Sequence, residues 1–251
     1  TLIELTVVLL IIAALIGSAI MLMSAGLHGL SYRNTQAKLN TLRQALIDYR
    51  IAYNQLPCPA SIADYNASQQ YFGVKADPAS DCTGGTPAAS SLSDATAAFG
   101  MVPVRSLGLP DDMAFDGWGR RIMYAVSPAF VVDNAFDSIA VTDATTRLTI
   151  EHNESGDTLT TTAVFVLLSA GQDGHGGIGG LNATSSRISA GITNLKQLLN
   201  CKCLNTGADN VAADMDYFVY GDEKPDPSDA LNGFDDLLVY ATRVDLRDAT
   251  E

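Results

Sequence analysis

The sequence predicts an α+β protein in which a long N-terminal α-helix, transmembrane in its first half and amphipathic in its second, packs on an antiparallel β-sheet domain. Three observations predict it. From Leu5 to Tyr32 there is no Asp, Glu, Lys or Arg, and most of the stretch to Met23 is Val, Leu, Ile, Ala and Met. Past Arg33 the apolar residues Leu39, Leu42, Leu46, Tyr49 and Tyr53 recur at spacings of three and four, which places them on one helix face. Further along, short alternating runs separated by polar turns replace the helical period, with no βαβ alternation.

The first element divides in two. Roughly 20 apolar residues at about 1.5 Å each cross a bilayer core, so residues 1–30 read as a transmembrane half. Residues 31–54 form the amphipathic half, with Lys38, Arg43, Asp48 and Arg50 off the stripe. An unbroken helix of this length would span about 80 Å. The first proline is Pro57, in Leu56-Pro57-Cys58-Pro59, which ends the helix. Gly17, Gly26 and Gly29 lie inside it; glycine weakens a helix and gathers where helices bend, so a melted or kinked stretch is expected within 17–29. Close helix packing through small residues is the other reading.

Residues 55–251 make the globular part. The chain is 251 residues long with 47% hydrophobic residues and a net charge of −13. Residues 1–54 carry Arg33, Lys38, Arg43 and Arg50 against Glu4 and Asp48, a balance of +2, leaving −15 for the rest. So acidic a domain repels phosphate backbones, and nucleic acid is not an expected partner. Residues 61–100 read as irregular. Asp116-Gly117 leading into Ile122-Met123-Tyr124 reads as a turn into a strand. Further strands are expected at 139–142, 147–152, 161–169, 217–220 and 236–243, and a short helix within 184–199.

The cysteines are Cys58, Cys82, Cys201 and Cys203. Cys58 with Cys82 would close a Gly-, Pro-, Ser- and Asp-rich loop. Cys201 and Cys203 are then left as free thiols or as partners across the two loops. The three histidines, His28, His152 and His175, are too few and scattered for a catalytic triad. Gly174–Gly179 matches G-x-G-x-x-G, but without the strand-to-helix context that a dinucleotide loop needs. No enzyme is expected.

Two stretches resemble known proteins. Thr1-Leu2-Ile3-Glu4-Leu5-Thr6-Val7-Val8-Leu9-Leu10 resembles the mature start of the type IV pilin family, where a Phe, often N-methylated, precedes T-L-I-E-L. Asp116, Trp118, Gly119 and Tyr124 resemble the D-P-W-G-x-x-Y turn of the type II secretion pseudopilins, with Gly117 in place of Pro. Phe234-Asp235-Asp236-Leu237 is similar to their F-D-D-[IL] segment. The resemblance implies a major pilin of an extracellular type IV pilus-like filament. The alternatives are a pseudopilin of a periplasmic pseudopilus, or a minor pilin or adhesin at the filament tip. It further implies a leader removed by a prepilin peptidase, residence in the inner membrane before assembly, and partners that are copies of the chain and the assembly machinery. Glu4 would pair with the terminal amine of a neighbouring subunit; two opposite charges in a dry core offset each other's burial. Ser169, Gly171, Asp173 and Gly174 match the family's calcium loop, so calcium is the candidate cofactor, at Asp173 with late acids such as Asp222 and Asp226. A solvated acidic surface is the plainer reading of those acids.

Overall fold

The structure, a computed structural model, describes residues 2–76, 82, 96–134, 136, 148–153, 155–179, 195–202, 216–221 and 234–248; the side chains described in the first helix are those of 3–13 and 29–53, and in the last those of 243–246. The elements in chain order are α1 (Leu2–Tyr53), β1 (Ala98–Met101), β2 (Met123–Val126), β3 (Leu148–His152), β4 (Thr158–Ser169), α2 (Leu195–Cys201), β5 (Tyr217–Tyr220), β6 (Leu237–Thr242) and α3 (Arg243–Asp248), with 3-10 turns at Asp111–Ala114 and Pro128–Phe130.

β4 is the spine of the sheet. β2 pairs along Phe165–Leu168, β3 along Thr158–Ala163 and β6 along Ala163–Ser169, all antiparallel. β1 extends the sheet beyond β2. The stretch from Ala163 to Ser169 is buried throughout, because one face meets α1 and the other a second apolar cluster containing Phe99, Met101, Ile150, Val166 and Phe218.

Two parts of the expected architecture are corrected. The sheet is mixed rather than antiparallel, because β5 runs parallel to β3, with Thr149 opposite Tyr217 and His152 opposite Tyr220. A parallel neighbour needs a long crossover, and the chain between the two strands passes through β4 and α2. The signal was hidden because a four-residue apolar run looks the same in either direction. The second correction concerns the membrane. No helix among the described residues is long and apolar enough to cross one. Residues 29–53 carry Arg33, Lys38, Arg43, Asp48 and Arg50. A transmembrane half joined to an amphipathic half is thus replaced by an exposed stretch at 3–13 and a docked stretch at 29–53.

Docking of the second stretch follows its apolar stripe. Leu39, Leu42 and Leu46 are wholly buried, joined by Ile47 and Tyr49. Tyr53, at the end of the expected stripe, is exposed and instead lies against Tyr49, ring centroids 4.4 Å apart. The helix stops where Asn54 adopts φ 53° while its N–H still bonds Arg50 O. Polar bonds fasten the helix as well. Lys38 Nζ donates to Asp112 O and Phe115 O, and Arg43 Nε donates to Tyr240 O.

The loop after α1 is held by a disulfide between Cys58 and Cys82, 24 residues apart with Cα atoms 5.5 Å apart. Ala60 exchanges backbone bonds with Met101 and so covers the outer edge of β1. The buried Arg121 donates to Ser61 O and Ile62 O with its guanidinium over the Phe72 ring, and Tyr124 Oη donates to Pro57 O. β1 itself lies in the stretch expected to be irregular; Ala98-Phe99-Gly100-Met101 is too small-residue-rich to read as a strand alone and forms one because β2 and Ala60 take up its backbone groups. Closing a loop of this length stabilises by about 3 kcal/mol. Cys82→Ser is therefore expected to lower the unfolding free energy by about 3 kcal/mol, measured by denaturant titration; reductant should lower the wild type by at least as much and should lower the variant by less than the wild type. The strand expected at 139–142 lies outside the described residues.

Candidate functional site

Two regions carry the expected site residues. The first is the start of α1. Ile3, Leu5, Leu9 and Leu10 are 75%, 59%, 57% and 72% exposed, and every described side chain from 3 to 13 is open to solvent. Thr6 Oγ1 donates back to Ile3 O. Glu4 lies in the first turn, where a negative charge complements the helix N-terminus. Gly17 and Gly26 fall in α1 in the part whose side chains are not described; at Gly29 a Cβ would meet nothing within 4 Å beyond the helix's own adjoining backbone.

The second region joins the turn after β4, the segment entering β6, and α2. Gly171 makes the turn with φ +58°, and a Cβ there would lie 2.2 Å from Asp235 O, so only glycine fits. Asp173 N then donates to Asp235 Oδ2 at 2.8 Å. Gln197 Nε2 bridges both carboxylates, 2.8 Å from Asp173 Oδ2 and 3.2 Å from Asp235 Oδ1. His175 N donates to Asp173 Oδ1, while its Nδ1 sits 3.1 Å from Oδ2 without hydrogen-bond geometry. Next to this pair, the fully buried Asn200 donates to Asp236 Oδ2 and Val219 O and accepts from Val219 N. Its amide therefore occupies an edge of β5 as a neighbouring strand would.

Like charges and burial act together here. Burial pushes the Asp235 carboxyl up to about 6, against the opposing bond from Asp173 N. Burial also raises Asp236 well above the usual carboxylate range, with Asn200 opposing. Asp116 is raised by burial too, opposed by the Ser169 hydroxyl. The arrangement holds protons well. Among the described residues, no group of three or more His, Cys, Asp or Glu side chains could hold a metal ion. Asp222 and Asp226 lie outside the described residues, so of the three expected calcium ligands only Asp173 is described. Asp235, an acid of the same stretch that was not singled out, is the one that meets it, together with Gln197. An amide 24 residues downstream leaves no spacing signal.

A group raised on folding stabilises fully below its unfolded value and loses that contribution as pH climbs through the folded value. With about 3.9 unfolded and about 6 folded, Asp235 makes the domain more stable at pH 5 than at pH 7. Asp111, held low by Arg105, acts in the opposite sense, but only at more acid pH. We expect the melting temperature to rise from pH 7 to pH 5 and the rise to shrink in Asp235→Asn, whose loss corresponds to at most about 3 kcal/mol; calorimetry across that window checks it.

The remaining cysteines are partly placed. Cys201 is disulfide-bonded and is not a free thiol. Since Cys58 and Cys82 take each other, it is not paired across to their loop either. Cys203 lies outside the described residues. The Gly174–Gly179 stretch lies at the turn around Arg120, whose guanidinium donates to Gly171 O and Gln172 O, and Gly174 and Gly177 make room for that arginine. No family model, curated protein or solved structure matches this chain.

Proposed function

We propose that the chain is a non-enzymatic structural subunit of a type IV pilus-like filament, assembled through the N-terminal stretch of α1. The carrying observation is the contiguous exposed apolar surface at 3–13, which holds Ile3, Leu5 and Val7 to Ile12. Soluble monomers rarely leave such a patch open, and one this continuous marks a surface that another molecule covers. The partner is another copy of the chain. A head-to-tail contact that does not close on itself builds a fibre, and the acidic remainder of the chain suits a subunit kept soluble by its charge until it assembles. The Cys58–Cys82 bond supports an extracytoplasmic setting, on the cell surface or in the periplasm. The major-pilin assignment is preferred; pseudopilin and minor tip subunit are the alternatives. Electron microscopy of filaments sheared from cells, with mass spectrometry of the dominant band, tests all three. A dominant band from this chain supports the major subunit, a trace the minor one, and absence from any filament defeats the proposal.

Calcium is the finer reading of the second region. Asp173 and Asp235 would give two carboxylate oxygens and the late acids the rest of the six to eight that the ion takes. Under this reading millimolar Ca²⁺ raises the melting temperature at pH 7 and EDTA reverses it; an unchanged transition disposes of it.

A further inference from the structure

The apolar stripe that docks α1 stops at Leu39, yet one turn earlier Thr35 is completely buried, and it is the only buried side chain described between 29 and 38. Its hydroxyl is used twice: Oγ1 donates to Ser31 O at 2.8 Å and accepts from Gly117 N at 2.8 Å. Gly117 lies so close to the helix that a Cβ would stand 2.1 Å from Ser31 O, so backbone meets backbone with nothing between. The turn pressing there is itself fixed. Asp116 accepts from Trp118 N, Arg120 N and Ser169 Oγ, and Arg120 reaches across to the turn after β4. Just before the contact support ends: Leu30 is 63% exposed and Gly29 is open.

We propose that Thr35 is a positioning residue which, with the 116–119 turn, sets the point and direction at which the N-terminal arm of α1 leaves the domain; the use of that arm in assembly rests on the filament reading above. Burial of Leu39, Leu42 and Leu46 is non-directional and tolerates small rotations of the helix. Hydrogen bonds constrain both distance and angle, and a hydroxyl that donates and accepts at once has a single setting. The contact therefore fixes rotation and tilt where packing alone leaves them loose. In a helical assembly, that orientation decides how each domain sits on its neighbours.

The test uses the full chain in mild detergent, with spin labels on noncanonical residues at positions 30 and 159, both exposed, and pulsed-dipolar distance measurement. Thr35→Val keeps the volume and removes both bonds; Thr35→Ser keeps both. The expected result is a distance distribution at least twice as wide, or a displaced maximum, for Thr35→Val, with Thr35→Ser matching the wild type. A Thr35→Val distribution that superimposes on the wild type overturns the proposal, even if its melting temperature falls, since that is what a merely structural role produces. Failure to find the wild-type chain in filaments would defeat the filament reading and leave the distance result standing.

Discussion

Leu9→Asp is expected to abolish filaments while leaving the folded domain untouched. Leu9 is 57% exposed in the single chain, so replacing it removes no intramolecular packing, and surface changes of that kind stay within about 0.5 kcal/mol. In the proposed assembly the same position would face apolar side chains of other copies. An unpaired carboxylate placed there must be desolvated or neutralised, which costs several kcal/mol. At about 1.4 kcal/mol per factor of ten, even 3 kcal/mol per contact weakens each one by roughly a hundredfold, and a fibre repeats the contact at every subunit. Glu4→Ala is expected to act in the same direction for a different reason, since it deletes the charge that, in the proposed assembly, would pair with the terminal amine of a neighbouring subunit. The readings are filament yield by microscopy and domain melting by calorimetry. Normal yield from both variants would remove the N-terminal stretch as the assembly surface; a large fall in melting temperature for Leu9→Asp would show that the residue packs within its own chain.

The contrast between the two halves of α1 explains what could be seen in the sequence. Leu39, Leu42 and Leu46 were legible because a helix face repeats, and a repeat can be read without knowing what it meets. β3 to β6 were legible for a related reason: each is an alternating or apolar run bounded by turn residues. What those strands pair with was not. The run at 217–220 has the same pattern whether β5 lies parallel or antiparallel to β3, and the choice is made by a crossover and by Asn200 bonding Val219 from the side. β1 left no signature because its backbone partners, not its side chains, make it a strand. The second region shows the limit most plainly. Asp173 and Asp235 were visible as acids, but their meeting depends on Gly171 bringing the turn against Asp235 O and on Gln197 bridging from a helix elsewhere in the chain. The apolar character of 3–13 is visible in the sequence too, though not its exposure: nothing in the pattern says whether those side chains meet their own domain, and in the structure they stand open to solvent.

Gly117→Ala is expected to cause a large loss of stability. The geometry explains why glycine is required here. The added Cβ would stand 2.1 Å from Ser31 O, 2.7 Å from Ser31 C and 2.8 Å from Ser31 Cα. All three are backbone atoms of a helix, and none can swing aside as a side chain could. Either the turn retreats, breaking the bond from Gly117 N to Thr35 Oγ1 and pulling on Asp116, or α1 shifts and drags Leu39 and Leu42 from the core. Overpacking typically costs 1–3 kcal/mol where side chains can yield; with rigid backbone on both sides the expected loss is about 3 kcal/mol or more, equivalent to roughly 6–12 °C in melting temperature for a chain of this size. Thr35→Val serves as the reference. It forfeits the hydrogen bonds without the clash and should cost about 1–3 kcal/mol. If the two variants melt together, the loss is in the hydrogen bond; if Gly117→Ala melts well below Thr35→Val, backbone contact itself holds the helix to the turn. A Gly117→Ala protein as stable as the wild type would mean that the turn and Ser31 do not touch.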